Sequence, residues 1–248
     1  MIEVEGLYKS FGEEPVLSGV DLTVPEGKTL AVIGRSGMGK SVLLKHIVGL
    51  LQPDSGEVRV DGQVLGELSK RELYEIRKRF GVVFQGGALF DSMTVGENLT
   101  LPLDEHRYLQ PQERRRRALE CLERVGLADA VDLKPAELSG GMKKRVGLAR
   151  ALVMQPDFVL YDEPTTGLDP IMADVINELI VSMSDQLSVT SIVVTHDMTS
   201  VYKVADEIAM LHEGKIVAQG TPDEIRSSPS PLVQQFIHGR AEGPIRAV

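Results

Sequence analysis

The 248-residue sequence has no tryptophan, five tyrosines, six phenylalanines and one cysteine. So few aromatic residues leave no stacking platform for nucleic-acid bases. The lone Cys121 cannot close an intrachain disulfide. With Leu119, Leu122 and Val125 around it, it reads as part of a packed helix face. No apolar run approaches the roughly 18–20 residues that cross a bilayer. Met1 to Glu5 lack the basic and apolar regions of a signal peptide, so the expected location is cytoplasmic. Excess positive charge is missing too. A net charge of −9 argues against nucleic acid as a partner. The remaining composition is that of an ordinary globular protein, long enough for one elaborated domain or two small ones.

What is present is concentrated in Gly34-Arg35-Ser36-Gly37-Met38-Gly39-Lys40-Ser41, followed by Val42. This fits G-x-x-x-x-G-K-[ST], a phosphate-binding loop. Gly34 and Gly39 let the backbone N–H groups turn inward, because they carry no Cβ. Lys40 brings positive charge to the β- and γ-phosphates of a nucleotide, and the Ser41 hydroxyl is placed for Mg²⁺. The β-branched run Thr29–Ile33 precedes the loop and a helical run, Val42–Val48, follows it. Strand, loop and helix together place an anion at a helix N-terminus.

Alternation of Ile2 and Val4, and of Val20, Leu22 and Val24, with polar residues predicts half-buried strands. Val58 and Val60 predict another before the Asp61-Gly62 turn, and Gly81–Gln85 a further one. From about Ala88 to Met154 the pattern turns helical. Pro111 opens a helix that contains Arg114–Arg117. Four consecutive helical residues point four ways, and Glu113, Glu120 and Glu123 surround them, so the tetrad reads as a solvated face. After Pro156, α/β character returns with strands at Phe158–Tyr161 and Thr190–Thr195 and a hairpin around Glu213-Gly214. Between them Asp169 caps a helix with Ile171, Val175, Ile176, Leu179, Ile180 and Met183 at apolar spacing. The tail carries the apolar stripe Leu232, Val233, Phe236 and Ile237, which either packs on its own core or reaches another subunit. The expected class is α/β, with a helical block inserted into it.

A phosphate loop needs a second acid for its metal. Phe158-Val159-Leu160-Tyr161-Asp162-Glu163 supplies an apolar strand ending in two acids, as in a Walker B motif. Asp162 holds Mg²⁺ through its water shell, and Glu163 points elsewhere, toward the attacking water. Between the two motifs lies Leu138-Ser139-Gly140-Gly141-Met142. It is a second glycine-rich helix start, hence a second anion site.

These residues resemble the signature sequence of the ATP-binding cassette (ABC) ATPases, with Met142 in place of the usual glutamine. Further positions fit the family pattern in order. Phe11 matches the aromatic residue that stacks on adenine. Gln85 matches the glutamine that reaches the metal and water. Thr166–Asp169 resembles the segment crossing the dimer interface, and His196 the histidine contacting the γ-phosphate. The resemblance spans residues 1–225. It implies a RecA-like P-loop NTPase core (1–87 and 155–225) with an N-terminal antiparallel β subdomain. It also implies an inserted helical subdomain (88–154), and residues 226–248 form an extension. It implies hydrolysis of ATP with Mg²⁺, Glu163 as general base, and Lys40 and His196 on the phosphates. The Ser139–Gly141 segment of a second copy closes each site, which makes an ATP-sandwich dimer.

Gly39–His46 and Gly86–Asn98 are similar to the ATPases of Mla/Mce-type phospholipid-transport systems. Val42 stands where solute importers more often have Thr, and Asp91-Ser92 where they have a Pro. That similarity implies an integral-membrane permease dimer, an Mce lipid-binding protein, a STAS-type regulator, and a place on the cytoplasmic face of the inner membrane. An ATPase of another transporter, importing solutes or exporting solvents or drugs, is the alternative. A soluble repair-type cassette fits poorly without a long heptad insert.

Overall fold

The computed structural model describes residues 1–106 and 109–246. The sheets are built from β1 (Ile2–Phe11), β2 (Glu14–Val24), β3 (Thr29–Ile33), β4 (Ser55–Val60), β5 (Gln63–Val64), β6 (Phe80–Val83), β7 (Phe158–Asp162), β8 (Thr190–Thr195), β9 (Glu207–His212) and β10 (Lys215–Gly220). The helices are α1 (Lys40–Ile47), α2 (Lys70–Lys78), α3 (Val95–Glu105), α4 (Pro111–Arg124), α5 (Gly140–Leu152), α6 (Pro170–Leu187), α7 (Met198–Val204), α8 (Pro222–Arg226) and α9 (Pro231–Ile237). The chain divides into two compact units, Met1–Leu73 with Thr190–Val248, and Tyr74–Val189.

The first unit contains an antiparallel sheet in the order β2-β1-β4-β5. Ile2 lies opposite Val24 on one side and Val60 on the other, and Val4 opposite Leu22 and Val58. The alternation seen in sequence is therefore one buried face. The same unit holds β10-β9-β3-β8. β3 runs parallel to β8 and β9, and all five of its residues are buried. A strand covered on both faces needs a continuous apolar run, which Leu30–Ile33 supplies after the buried Thr29. Ala31 and Ile33 share a core cluster with Met210, Ile225, Val233 and Ile245. Leu232, Phe236 and Ile237 pack against that cluster, so the tail's stripe lies on its own unit's core. Ala247 and Val248, the end of the expected extension, lie outside the described residues.

The second unit pairs β6 with β7 in parallel, Phe80 opposite Phe158. The two rings stack at 4.9 Å. β6 stops at Val83, so Gln85 lies in the turn beyond the strand rather than at its end. The helices α3, α4 and α5 bury Leu99, Leu103, Ala118, Leu122 and Val146, with Cys121 also inside. Thr94 and Glu97 form a capping box that starts α3. The arginine tetrad does disperse. Arg114 pairs with Asp104, Arg116 and Arg117 with Glu120, while Arg115 stands 4.0 Å from Asp132. Glu113 instead accepts from the Gln110 amide at 3.1 Å. In α6, Ile176, Ile180 and Met183 are buried, but Ile171 is 77% exposed. The apolar period starts a turn later than the sequence implied.

Candidate functional site

In the first unit, β3 delivers the chain to the phosphate loop. Gly34 lies against the Leu211 carbonyl; a Cβ there would stand 2.4 Å from its oxygen. Gly39 has φ 90° and sits under Val16, whose Cγ1 would be 2.9 Å from an added Cβ. Both glycines answer to close packing as well as to curvature. Gly39 caps α1, which begins at Lys40. Lys40 is only 6% exposed, and its Nζ donates to the Gly34 carbonyl at 2.7 Å and the Arg35 carbonyl at 3.0 Å. The ammonium thus lies inside the curl of the loop, where a phosphate's charge would meet it. Ser36 and Gly37 are exposed, while Arg35, Met38, Ser41 and Val42 are half-buried.

Arg35 has a further partner. Its Nη1 donates to the Arg246 carbonyl at 2.8 Å, which joins the loop to the tail. Gln235 holds that tail in place. Its side chain accepts from the Ile245 amide at 2.6 Å and donates to the Ile245 carbonyl at 2.9 Å. Phe11 ends β1 half-exposed, with Lys9 Nζ 5.8 Å from its ring centroid. His196 is exposed directly after β8.

The second unit carries the acids and the signature. Asp162 is the last residue of β7 and half-buried. Glu163 follows in the left-handed region at φ 50°, which turns its side chain away from the strand's alternation. Its Oε2 accepts from the Thr166 hydroxyl at 3.0 Å. Ser139 is exposed and caps α5, accepting from the Met142 amide at 3.2 Å. Nothing lies within 4 Å of a Cβ built on Gly140, while one on Gly141 would meet Met172 Cε at 2.7 Å. Asp169 is exposed and caps α6, accepting from the amides of Ile171 at 3.0 Å and Met172 at 3.1 Å. Gln85 is exposed, and Phe84 and Phe90 in the same segment of chain are about half-exposed.

Three residues of α5 were not singled out by sequence. Lys144 is 8% exposed, and its Nζ donates to the carbonyls of Thr166 at 2.6 Å, Pro164 at 2.8 Å and Glu163 at 3.4 Å. Burial pulls its ammonium pKa down, and the Glu163 carboxylate pushes it back up. Arg150 donates to the carbonyls of Gly87 at 3.0 Å and Ala88 at 2.8 Å, just beyond Gln85. Gly147 lets that turn approach, since an added Cβ would stand 3.1 Å from Gly87 Cα. One signal was available for Lys144. It shares a helical face with Gly141 and Leu148, both buried, so a cation there had to meet internal acceptors.

Residues 17–166 match the family described as ABC transporter. The chain is 44% identical over 246 residues to the intermembrane phospholipid transport system ATP-binding protein MlaF of Haemophilus influenzae, covering 99% of this chain and 93% of that relative. It is also 44% identical to the probable ribonucleotide transport ATP-binding protein mkl of Mycobacterium tuberculosis, over 98% of this chain and 68% of the relative. Among solved structures, a dimeric post-hydrolysis state of the ATP-binding cassette MJ0796 bound to ADP and Pi superposes with a TM-score of 0.82 at 35% identity. That match covers 89% of this chain and 98% of the other.

Proposed function

This chain belongs to the ABC transporter family and is an ATP-hydrolysing subunit, and from that membership we propose that it powers a membrane permease that moves phospholipid. The observation that carries the lipid reading is the match to MlaF, which extends over 93% of that protein, against 68% for the equally identical mkl. The ribonucleotide transport in the name of mkl supplies the second reading. On the first, the chain sits on the cytoplasmic face of the inner membrane as a two-fold dimer beneath a permease dimer, with an Mce protein and a STAS-type regulator as further partners. The exposed Phe84 and Phe90, in the segment that follows β6 and contains Gln85, support a protein contact there. Among the described residues, no helix is long and apolar enough to cross a membrane.

In this reading Lys40 and the loop amides hold the β- and γ-phosphates, and Phe11 stacks on the adenine. The donors assigned to Mg²⁺ are the Ser41 hydroxyl, the Gln85 amide oxygen and the Asp162 carboxylate. These are hard oxygen ligands, few in number, and they suit an ion that keeps waters and phosphate oxygens in its shell. When bound, the ion supplies charge neutralisation on the phosphates. Glu163 takes the proton of the attacking water at its carboxylate, and His196 steadies the γ-phosphate. Ser139, Gly140 and Gly141 of a second copy complete the site, a role that suits the exposed Ser139 and the open space over Gly140. Asp169, capping α6, belongs to the segment crossing that interface.

The test is to purify the assembled complex from its native membrane and identify its integral subunit and bound small molecules by mass spectrometry. A permease carrying phospholipid supports the proposal. A nucleotide-loaded permease without lipid supports the second reading and sinks the first.

A further inference from the structure

We propose that Lys144 is a positioning residue for ATP hydrolysis, holding the Glu163–Thr166 turn from the signature helix and so fixing the Glu163 carboxylate. The proposal rests on the assignment of Glu163 as general base. An ammonium has three hydrogens and no acceptor. Here they meet three carbonyls of one turn, Glu163, Pro164 and Thr166, from inside the second unit. Glu163 is not a glycine, yet it stands at φ 50°. Such a residue keeps that conformation only where its surroundings impose it. Drawing the carbonyls of Glu163, Pro164 and Thr166 toward a single buried cation imposes it. The Thr166 hydroxyl, 3.0 Å from Glu163 Oε2, then sets the carboxylate itself, and Lys144 fixes the Thr166 main chain.

The placement of Lys144 on α5 adds a second consequence. It lies one turn beyond Gly140 and Gly141, on a helix capped by Ser139. A displacement of that helix start is therefore transmitted through Lys144 to the base in the same chain. Contact of Ser139–Gly141 with a phosphate would register at Glu163 without any loop being reordered.

The experiment measures steady-state ATP hydrolysis and ATP binding by the full chain, as wild type, Lys144→Met, Lys144→Arg and Glu163→Gln. We expect Lys144→Met to lower kcat about 10- to 100-fold, the effect of misplacing a catalytic group by about 1 Å. KM for ATP stays within about twofold, and amide hydrogen exchange at Thr166 and Leu168 rises. Lys144→Arg, which keeps the charge but replaces the compact ammonium with a larger planar fork, recovers only part of kcat. If Lys144→Met does not fold, Lys144→Gln takes its place with the same expectations. A neutral variant that folds and keeps kcat within twofold overturns the proposal, even where its melting temperature falls. So does an unchanged split between kcat and KM in the face of faster exchange. Full turnover by Glu163→Gln would instead overturn the base assignment on which the proposal rests.

Discussion

Gln235 and Ile245 grip each other through both ends of one amide: the side-chain oxygen takes the Ile245 N–H at 2.6 Å and the side-chain nitrogen gives to its carbonyl at 2.9 Å. Both bonds are buried, and Arg35 reaches the next carbonyl, that of Arg246. The tail is thereby folded onto the unit that holds the phosphate loop. Gln235→Leu should cost about 1–3 kcal/mol, the range for leaving buried backbone groups unpaired. Denaturant unfolding measures that loss. Limited trypsin digestion should show cleavage after Arg240 appearing in the variant before any cut in the core.

Glu163→Gln should still bind ATP and lose about 10²–10⁴-fold of its turnover, the usual contribution of a positioned general base. Lys40→Ala should instead weaken binding, because the removed ammonium is the one inside the loop. Equilibrium binding of a fluorescent ATP analogue alongside phosphate release separates the two. Near-wild-type turnover by Glu163→Gln would reject its role.

Two glycine substitutions should behave oppositely. Gly34→Ala drives a methyl to within 2.4 Å of the Leu211 oxygen, and backbone on backbone has little room to yield. Overpacking of that kind costs about 1–3 kcal/mol. Gly140→Ala meets open space and should leave the melting temperature unchanged. If Gly140 serves a phosphate from a second copy, the same variant loses hydrolysis while remaining folded.

Stability should decline on mild acidification through His46. It is 1% exposed, and its Nδ1 lies 2.8 Å from the Val42 carbonyl. Burial lowers its pKa below 6.5, assisted by Lys9 and opposed by the backbone groups of Val42 and Gln52 and by Asp54. The folded protein therefore binds this proton less readily than the unfolded chain. Stability is constant above the unfolded value and falls as the pH drops below about 6.5. Unfolding midpoints between pH 7 and 5 should show that fall in the wild type and a smaller one in His46→Leu.

Much of this architecture could be read from local pattern. Leu30–Ile33 is apolar throughout because β3 is covered on both faces, and the adjoining glycine loop admits few other structures. Asp169 and Pro170 announced α6 because a cap is a local hydrogen bond. The tail stripe was visible, but whether it faced its own core or another subunit was not, since periodicity does not name the partner surface. The Ile225, Val233 and Ile245 cluster decides it within this unit. Ile171 kept helical spacing yet stays exposed, because packing rather than period determines which turn of α6 is covered. Lys144 and Arg150 escaped notice because their partners are carbonyls 20 and 62 positions away, and any residue type supplies a carbonyl.

The contact between Gly34 and Leu211 also orders events in time. The phosphate loop is complete in the first 41 residues of the sequence, yet β3 lies between β8 and β9, and the Leu211 carbonyl packs against Gly34. A chain still being synthesised holds the loop residues long before the strands that flank them. Pairing across so long a separation must wait for its later partner. The surroundings that shape this loop in the folded protein, β8, β9 and the Leu211 carbonyl, are therefore supplied by the last third of the sequence.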